Sequence, residues 1–401
     1  MAVGDLGDGA PTDLEERLAG RLAARRAADL YRSPRVLDGP QGPVALLDGR
    51  QLLAFCSNDY LGLANHPAVV AALVAGAHRW GVGAGAAHLV TGHRYPHHAL
   101  EEELAAFTDR PRALLFSSGY MANLAVISTL VGRHDRVFED RLNHASLLDA
   151  AYYAGAQLKR YRHNDPADLA TLLASSSQGR LVVTDGVFSM DGDMASLPAL
   201  AEVANQQGAW LMVDDAHGLG VMGEGRGTIA HYNLGLAEVP VLMGTLGKAL
   251  GTSGAFVAGS ETLIETLIQE ARGYVYTTAT PPALAEATRA ALRIVQEESW
   301  RRYHLQELIA HLREGLLSLG LQAGPAGSPI QPIILGTPQR ALAASQALLA
   351  EGILVSAIRP PTVPLGSARL RITISAAHDF SQVDRLVESL GRVLLSLQAD
   401  E

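Results

Sequence analysis

From Ala113 onward, short apolar runs of strand type alternate with segments of helical length, and this alternation narrows the folds open to the chain more than any other feature. ALLF is followed by the turn SSGY and the helical MANLAVISTL. DRVFED is followed by HASLLDAAYYAGA, QLKRYR by PADLATLLASSS, and RLVVTDG by LPALAEVANQQ; AWLMVDDAH, VPVLMGT and GAFVAGS complete the series. Strands spaced by helices predict a parallel or mostly parallel sheet covered by helices on both faces, an α/β fold. In such sheets chemistry collects just beyond the C-terminal ends of the strands. Asp185, Asp214 and Lys248 each sit just past an apolar run.

The flanking segments suggest further structure. MAVGDLGDGA reads as a flexible start, and Thr12 with Glu15 forms a capping box that opens a helix through about Tyr31. Arg17, Arg21, Arg25 and Arg32 recur along it at near-helical spacing, as a solvated face does. A turn-rich SPRVLDGPQG leads to a hairpin-like stretch. After PPALAEATRAALRIVQ the chain is helical to about Leu319, then passes through GPAGSPIQP to mixed elements ending in RLRITIS and a final helix. At 401 residues the chain is too long for one small core. The expected division is an N-terminal helical arm and hairpin over 1–60, a large α/β domain over 61–290, and a smaller C-terminal α+β domain over 291–401.

Composition excludes several classes. With 48% hydrophobic and 18% charged residues, the chain can bury a large interior as a soluble protein. Its first residues carry Asp5 and Asp8 and lack the apolar centre of a secretory signal, and no apolar run is long enough to cross a bilayer. The one cysteine, Cys56, rules out an internal disulfide and a cysteine zinc site, which suits a cytoplasmic protein; no metal is expected. A net charge of −9 argues against general nucleic-acid binding, and an anionic substrate would need local positive charge.

VLMGTLGKALG places a lone lysine, Lys248, among small residues. A Walker loop would need a glycine five residues before Gly247, where Leu242 stands, and a hydroxyl residue after the lysine, where Ala249 stands. The glycines of GVGAGAAH, at 81, 83 and 85, lack the third member and the preceding strand of a dinucleotide fingerprint. A covalent role fits better, because desolvation lowers a lysine's pKa and frees the amine to form a Schiff base. If the partner is pyridoxal phosphate, a carboxylate must keep the pyridine nitrogen protonated, and N–H groups at a helix start must hold the phosphate. Asp214 suits the first task, and Ser118, Gly119 and Tyr120 the second. His144 could stack on the ring, His217 could reach its hydroxyl, and Thr245 could bind phosphate. Taken singly, each also suits an ordinary cap, turn or core residue.

Taken together, SNDYLGL, ALEEELA, HASLLDA, TDGVFSMDGD, MVDDAHGLGVMG, TLGK and above all AIRPPTVPLGSARLRITISAAH resemble the α-oxoamine synthases over nearly the whole chain. These are pyridoxal-phosphate enzymes of the aspartate-aminotransferase-like fold (fold type I), with a large, mostly parallel-sheet domain and a smaller α+β domain. They join an amino acid to an acyl thioester and release carbon dioxide. The resemblance implies Lys248 as the lysine that carries pyridoxal 5'-phosphate, Asp214 as partner of the pyridine nitrogen, His144 stacked on the ring and His217 at its phenolic oxygen. It implies that Gly119, Tyr120, Ser189 and Thr245 contact the cofactor. It implies that Arg371 grips the amino-acid carboxylate with Asn58 as helper, and that Arg32 and Thr362 touch substrate. Thr277 and Thr278 would reach the phosphate of a neighbouring subunit, so a homodimer is implied. Within the family the likeness is to the branch that joins L-alanine to pimeloyl-CoA or a pimeloyl-acyl-carrier protein for biotin biosynthesis. The alternatives are sister activities, such as glycine C-acetyltransferase or 5-aminolevulinate synthase, and, in another class, a non-catalytic Rossmann-like nucleotide binder. In one loop, GVGAGAAHLVTG, the chain departs from the family: Ala84, Ala86, Ala87 and His88 stand where smaller or hydroxylic residues are usual.

Overall fold

The computed structural model describes residues 14–175 and 179–399. Thr12 of the expected capping box, the glycine-rich start, and Ser176 and Ser177 at the end of PADLATLLASSS lie outside the described residues. The first helix, α1 (Leu14–Ala27), ends short of Tyr31 because Asp29 takes a left-handed φ of 55°. None of its residues is buried.

The chain then forms β1 (Leu37–Asp38), β2 (Val44–Leu47) and β3 (Arg50–Ala54). β2 and β3 are an antiparallel hairpin closed by Asp48–Gly49, both at positive φ, as a two-residue hairpin turn requires. Two helices, α2 (Pro67–Trp80) and α3 (Tyr95–Phe107), lead to the main sheet. Its strands are β4 (Arg112–Phe116), β5 (Arg136–Asp140), β6 (Gln157–Tyr161), β7 (Arg180–Asp185), β8 (Trp210–Asp214), β9 (Val241–Thr245) and β10 (Ala255–Gly259), in the order β4-β10-β9-β8-β7-β5-β6. All neighbouring pairs are parallel except those that β10 makes with β4 and β9. GAFVAGS follows VPVLMGT after a short turn with no intervening helix, so it can only return antiparallel. The mostly parallel sheet expected from the alternation is therefore present.

Continuous apolar strands imply burial on both faces, and the strands show it. Leu181 and Val183 pack with Val137, Met243 and Val257 on one face, while Val182 packs with Phe138, Leu242 and Phe256 on the other. The helices α4 (Gly119–Leu130) and α5 (Ala145–Ala154) cover the first face through Ala122, Val126 and Leu147.

Towards the C-terminus, helices Pro282–Glu297 and Trp300–Ser318 precede β11 (Ile330–Gly336), β12 (Ile353–Leu354), β13 (Ser356–Ile358) and β14 (Ala368–Thr373), and the helix Phe380–Ala399 follows them. β11, β14 and β13 form an antiparallel sheet. β12 instead pairs in parallel with β3, so the N-terminal hairpin joins a sheet with the C-terminal part of the chain.

The loop after β7 is the joint between the two sheets. Arg369 donates to the carboxylate of Asp191 at 2.5 Å and to Met190 O at 3.2 Å, and Arg371 donates through Nε to Ser189 O at 2.6 Å. Behind the loop, His163 bridges two carboxylates: Nδ1 to Asp140 and Nε2 to Asp193, each at 2.9 Å. Burial opposes the charge on this ring, but the hydrogen bonds and charges of Asp140 and Asp193 outweigh it and lift its pKa to about 10. A group with a folded pKa above its unfolded value of about 6.5 adds stability that is complete below that value and is lost as pH rises through the folded pKa. The stability gap between the protein and His163→Gln should therefore be widest below pH ~6.5 and close as pH approaches 10, read from thermal melts across that range.

Candidate active site

The C-terminal ends of β4, β5, β7, β8 and β9 converge on one cavity of about 200 Å³. Gly119, Tyr120, His144 and Ser189 line it, and so do Asp214, His217, Thr245 and Lys248. Larger hollows exist, one of about 750 Å³ beside Arg226 and Tyr303, but they lack this combination of amine, carboxylate and imidazole.

Lys248 leaves β9 in a turn closed by Gly251 N–H donating to Lys248 O at 2.8 Å. Gly251 has φ 67°, and a Cβ there would stand 2.3 Å from Ala64 N, so the lysine loop sits directly on the backbone after SNDYLGL. Burial pushes the Lys248 pKa down to about 8, while the carboxylates of Asp214 and Asp185 hold it from falling further. Its Nζ lies 2.9 Å from His217 Nε2. His217 Nδ1 is 2.7 Å from the Tyr60 hydroxyl, which donates to Asn58 Oδ1 at 3.2 Å. With its own proton committed to Asn58, Tyr60 accepts from His217 Nδ1–H, which leaves Nε2 as acceptor for the lysine. Burial and the nearby charges of Lys248 and Arg371 lower the His217 pKa well below its usual value, so the ring is neutral. Asn58 Oδ1 also accepts both Nη groups of Arg371 at 3.2 Å. One hydrogen-bonded line thus runs from Lys248 to the buried Arg371.

Asp214, 5% exposed at the end of β8, accepts from Asn123 Nδ2 at 2.7 Å and from Ala216 N–H at 3.0 Å. Asn123 also donates to Ser146 Oγ at 2.9 Å. At the start of α4, Ser118 caps the helix by accepting Met121 N–H at 3.2 Å. A Cβ on Gly119 would meet Thr245 Cγ2 at 2.8 Å, so the helix start and Thr245 are in close contact. The Tyr120 hydroxyl donates to Asp149 at 2.5 Å. His144 caps α5 and meets Ser146 Oγ at 2.7 Å, with its backbone N–H on Asp185.

The remaining expected residues lie off this cavity. Arg32 donates to Thr362 Oγ1 at 3.0 Å, so these two meet each other. Thr278 bridges to Ala87, and Thr277 lies beside it, half-buried. Ala84, Ala86, Ala87 and His88 do not line the cavity; Ala86 O instead accepts Ala279 N–H at 3.0 Å. Sequence reasoning gave no role to Asn123, Tyr60 or Asp185. Asn123 stands four residues after Gly119, one helical turn on, which is the available signal. Burial, then the charge of Asp214, raises the Asp185 carboxyl well above its usual range.

The donor set fits pyridoxal phosphate. It offers a partly deprotonated amine for the aldehyde, a fixed carboxylate for the pyridine nitrogen, helix-start N–H groups with Thr245 for the phosphate, and an imidazole beside the cavity for the ring face.

Residues 50–390 match the family model for class I and II aminotransferases. The chain is 62% identical over 382 residues to the 8-amino-7-oxononanoate synthase of Pseudomonas putida, covering 95% of this chain and 98% of that one. It is 64% identical over 375 residues to that of Nitrosococcus oceani, covering 93% and 100%. Among solved structures, serine palmitoyltransferase from S. paucimobilis with a bound PLP–myriocin aldimine superposes with a TM-score of 0.92 at 30% identity, covering 97% of this chain and 100% of that one. The 8-amino-7-oxononanoate synthase of Francisella tularensis superposes at 0.76 with 32% identity, covering 86% and 99%. Lysine, carboxylate and imidazoles set at the strand ends of this fold, with relatives above 60% identity, place the chain in the 8-amino-7-oxononanoate synthase family of the class I and II aminotransferases.

Proposed function

We propose that this chain is an acyltransferase that condenses L-alanine with a pimeloyl thioester, releasing the thiol and carbon dioxide, to give 8-amino-7-oxononanoate for biotin biosynthesis. Pyridoxal 5'-phosphate is its cofactor. The observation that carries the reading is the line Lys248–His217–Tyr60–Asn58–Arg371, which ties a desolvated amine to a guanidinium able to hold a carboxylate.

When bound, the cofactor supplies an aldehyde for amine exchange and a protonated ring that withdraws electrons from the amino-acid Cα. Asp214, fixed by Asn123 and Ala216 N–H, holds the proton on that ring nitrogen. Arg371 holds the alanine carboxylate, a task suited to a planar fork of donors. Lys248, neutral in part near pH 8, takes the Cα proton, and His217 Nε2 accepts a hydrogen bond from the resulting ammonium. Gly119, Tyr120, Ser189, Thr245 and His144 position the cofactor, while Arg32 and Thr362 contact substrate.

The dimer belongs to the same reading. Thr277 and Thr278 lie off this chain's own cavity, so they are free to serve a partner's. The adjoining segments expose apolar Val82, Leu89, Val90 and Tyr276, each more than half exposed, which a second copy would cover. We assign the protein to the cytoplasm on its single cysteine, Cys56; among the described residues no helix is long and apolar enough to cross a membrane. The domain division at 60 and 290 stands as part of the proposal, with the first segment folding onto the third through β3 and β12. The donor is pimeloyl-CoA or the carrier-protein thioester, and parallel assays with each decide between them.

The deciding experiment gives the purified protein pimeloyl-CoA with L-alanine or with glycine and reads product mass. The keto-amine mass appears with alanine and vanishes in Lys248→Ala, whose turnover falls by roughly 10³ or more, within the range for a lost acid–base group. A glycine-dependent product instead would move the assignment to a sister activity. Arg371→Lys replaces the two hydrogen bonds of a planar fork with a point charge. A loss of about 1.5–3 kcal/mol predicts a KM for alanine raised roughly tenfold to a hundredfold, in steady-state kinetics. In the cofactor-free protein, amine-reactive labelling of Lys248 should follow a midpoint near pH 8 rather than the ~10.4 of an ordinary lysine.

A further inference from the structure

A second group of imidazoles stands apart from the cavity, on the loop that departs from the family. Residues His88–Gly92 form one turn of π-helix, with Gly92 N–H on Ala87 O at 3.0 Å, and α3 follows directly. An i→i+5 turn brings His88 and His93 to one side, and the i, i+4 spacing of an α-helix then adds His97. The result is a cluster of three rings whose centroids are 5.2 to 5.7 Å apart. His88 Nδ1 and His93 Nδ1 approach to 3.0 Å, and one nitrogen from each of the three rings falls within 4.8 Å of the others.

We propose that His88, His93 and His97 form a binding site for a divalent transition-metal ion of the zinc type, with water completing the coordination. The chemistry of the ligands carries the choice: three imidazoles without a thiolate suit zinc, nickel or copper and not magnesium or calcium. A second observation is independent of the cluster. Metal-binding histidines hand their other nitrogen to a carboxylate or carbonyl. His97 Nε2 does so, donating to Thr280 O at 2.8 Å, while His93 Nε2 has Glu101 Oε2 at 3.8 Å, an ion-pair distance and not a hydrogen bond. His88 is held by stacking on Tyr274, with ring centroids 4.9 Å apart. Two contacts are given up when the ion binds: the hydrogen bond between His88 Nδ1 and His93 Nδ1, which the metal replaces, and the Arg94 N–H that His97 Nδ1 now accepts at 3.0 Å; that group lies at the start of α3, where water can replace the partner. His93 is partly exposed and gives the ion its way in.

The site is structural. It fastens the Ala87–His93 loop to the segment Thr278–Thr280, already joined by the Ala87–Thr278 bridge and by Ala279 N–H on Ala86 O. No metal was expected from the sequence because H-x4-H-x3-H becomes a single cluster only through the π-turn.

The test is zinc binding to the cofactor-loaded protein, by equilibrium dialysis and by calorimetry, beside His93→Gln and a control, His231→Gln. His93→Gln leaves the buried rings in place. One zinc per chain is expected, weakened at least tenfold in His93→Gln and unchanged in the control. Cobalt should give visible d–d bands above 500 nm, clear of the cofactor, that His93→Gln abolishes. Zinc should also raise the melting temperature of the protein and not that of the variant, as a ligand specific to the folded state does. Binding below half a zinc per chain, or equal binding by protein and variant, would overturn the site whatever the condensation assay shows.

Discussion

Withdrawing a lysine amine from water is costly unless opposite charge compensates it, and the architecture around β8 and β9 supplies that compensation. Burial drags the Lys248 pKa down, and Asp214 and Asp185 limit the fall, so the amine stays poised near neutrality. Asp214 has its own supports, Asn123 and the Ala216 N–H, so it remains a fixed carboxylate. Burial, and then the neighbouring charge of Asp214, lifts the Asp185 carboxyl well above the ordinary carboxylate range. Two neighbouring strand ends thus bring carboxyl groups side by side, and burial beside Asp214 makes the Asp185 carboxyl harder to ionise.

The neutral, Nδ1-protonated His217 follows from the same constraint. Lys248 and Arg371 both disfavour a second positive charge at that ring, and the acceptor facing Nδ1 is the Tyr60 hydroxyl. Tyr60 and Asn58 belong to SNDYLGL, between the hairpin and α2, and Arg371 belongs to β14. Three distant stretches of chain must therefore be in register before the line from amine to guanidinium exists. The pairing of β3 with β12, and of Thr373 N–H with Phe55 O at 2.9 Å, sets that register.

Much of this was legible in the sequence. The alternation predicted the sheet, because buried parallel strands must be continuously apolar and need helices between them. Lys248, Asp214, His217, His144, Gly119 and Thr245 were legible because each follows a strand run at the end where sites form. Asp185 was legible only by its place at a strand end, and Asn123 and Tyr60 were not legible, since an amide or phenol that supports a site residue looks locally like any buried polar residue. The parallel pairing of β3 with β12 was hidden for another reason: it joins residues about 300 apart, and no local pattern encodes so distant a partner.

The loop after β7 shows why the small sheet can serve the chemistry of the large one. It is short of regular structure, yet several of its polar groups have fixed partners: Ser189 O and Met190 O receive arginines, Asp191 pairs with Arg369, and Asp193 with His163. Gly192, at φ 79°, lets the turn close where a Cβ would stand 2.5 Å from Ile330 O. The imidazolium of His163 lies between two carboxylates, and the edge-to-face contact with Phe188, at 4.4 Å between centroids, packs its ring. A loop held this way acts as a rigid spacer. The position of Arg371 relative to Lys248 is then set by hydrogen bonds at both of its sides, Ser189 O on one and Asn58 on the other. In the proposed reaction Arg371 is a carboxylate clamp, and such a clamp needs that fixity more than it needs strength, because the geometry of the bound amino acid would decide which Cα bond faces the lysine.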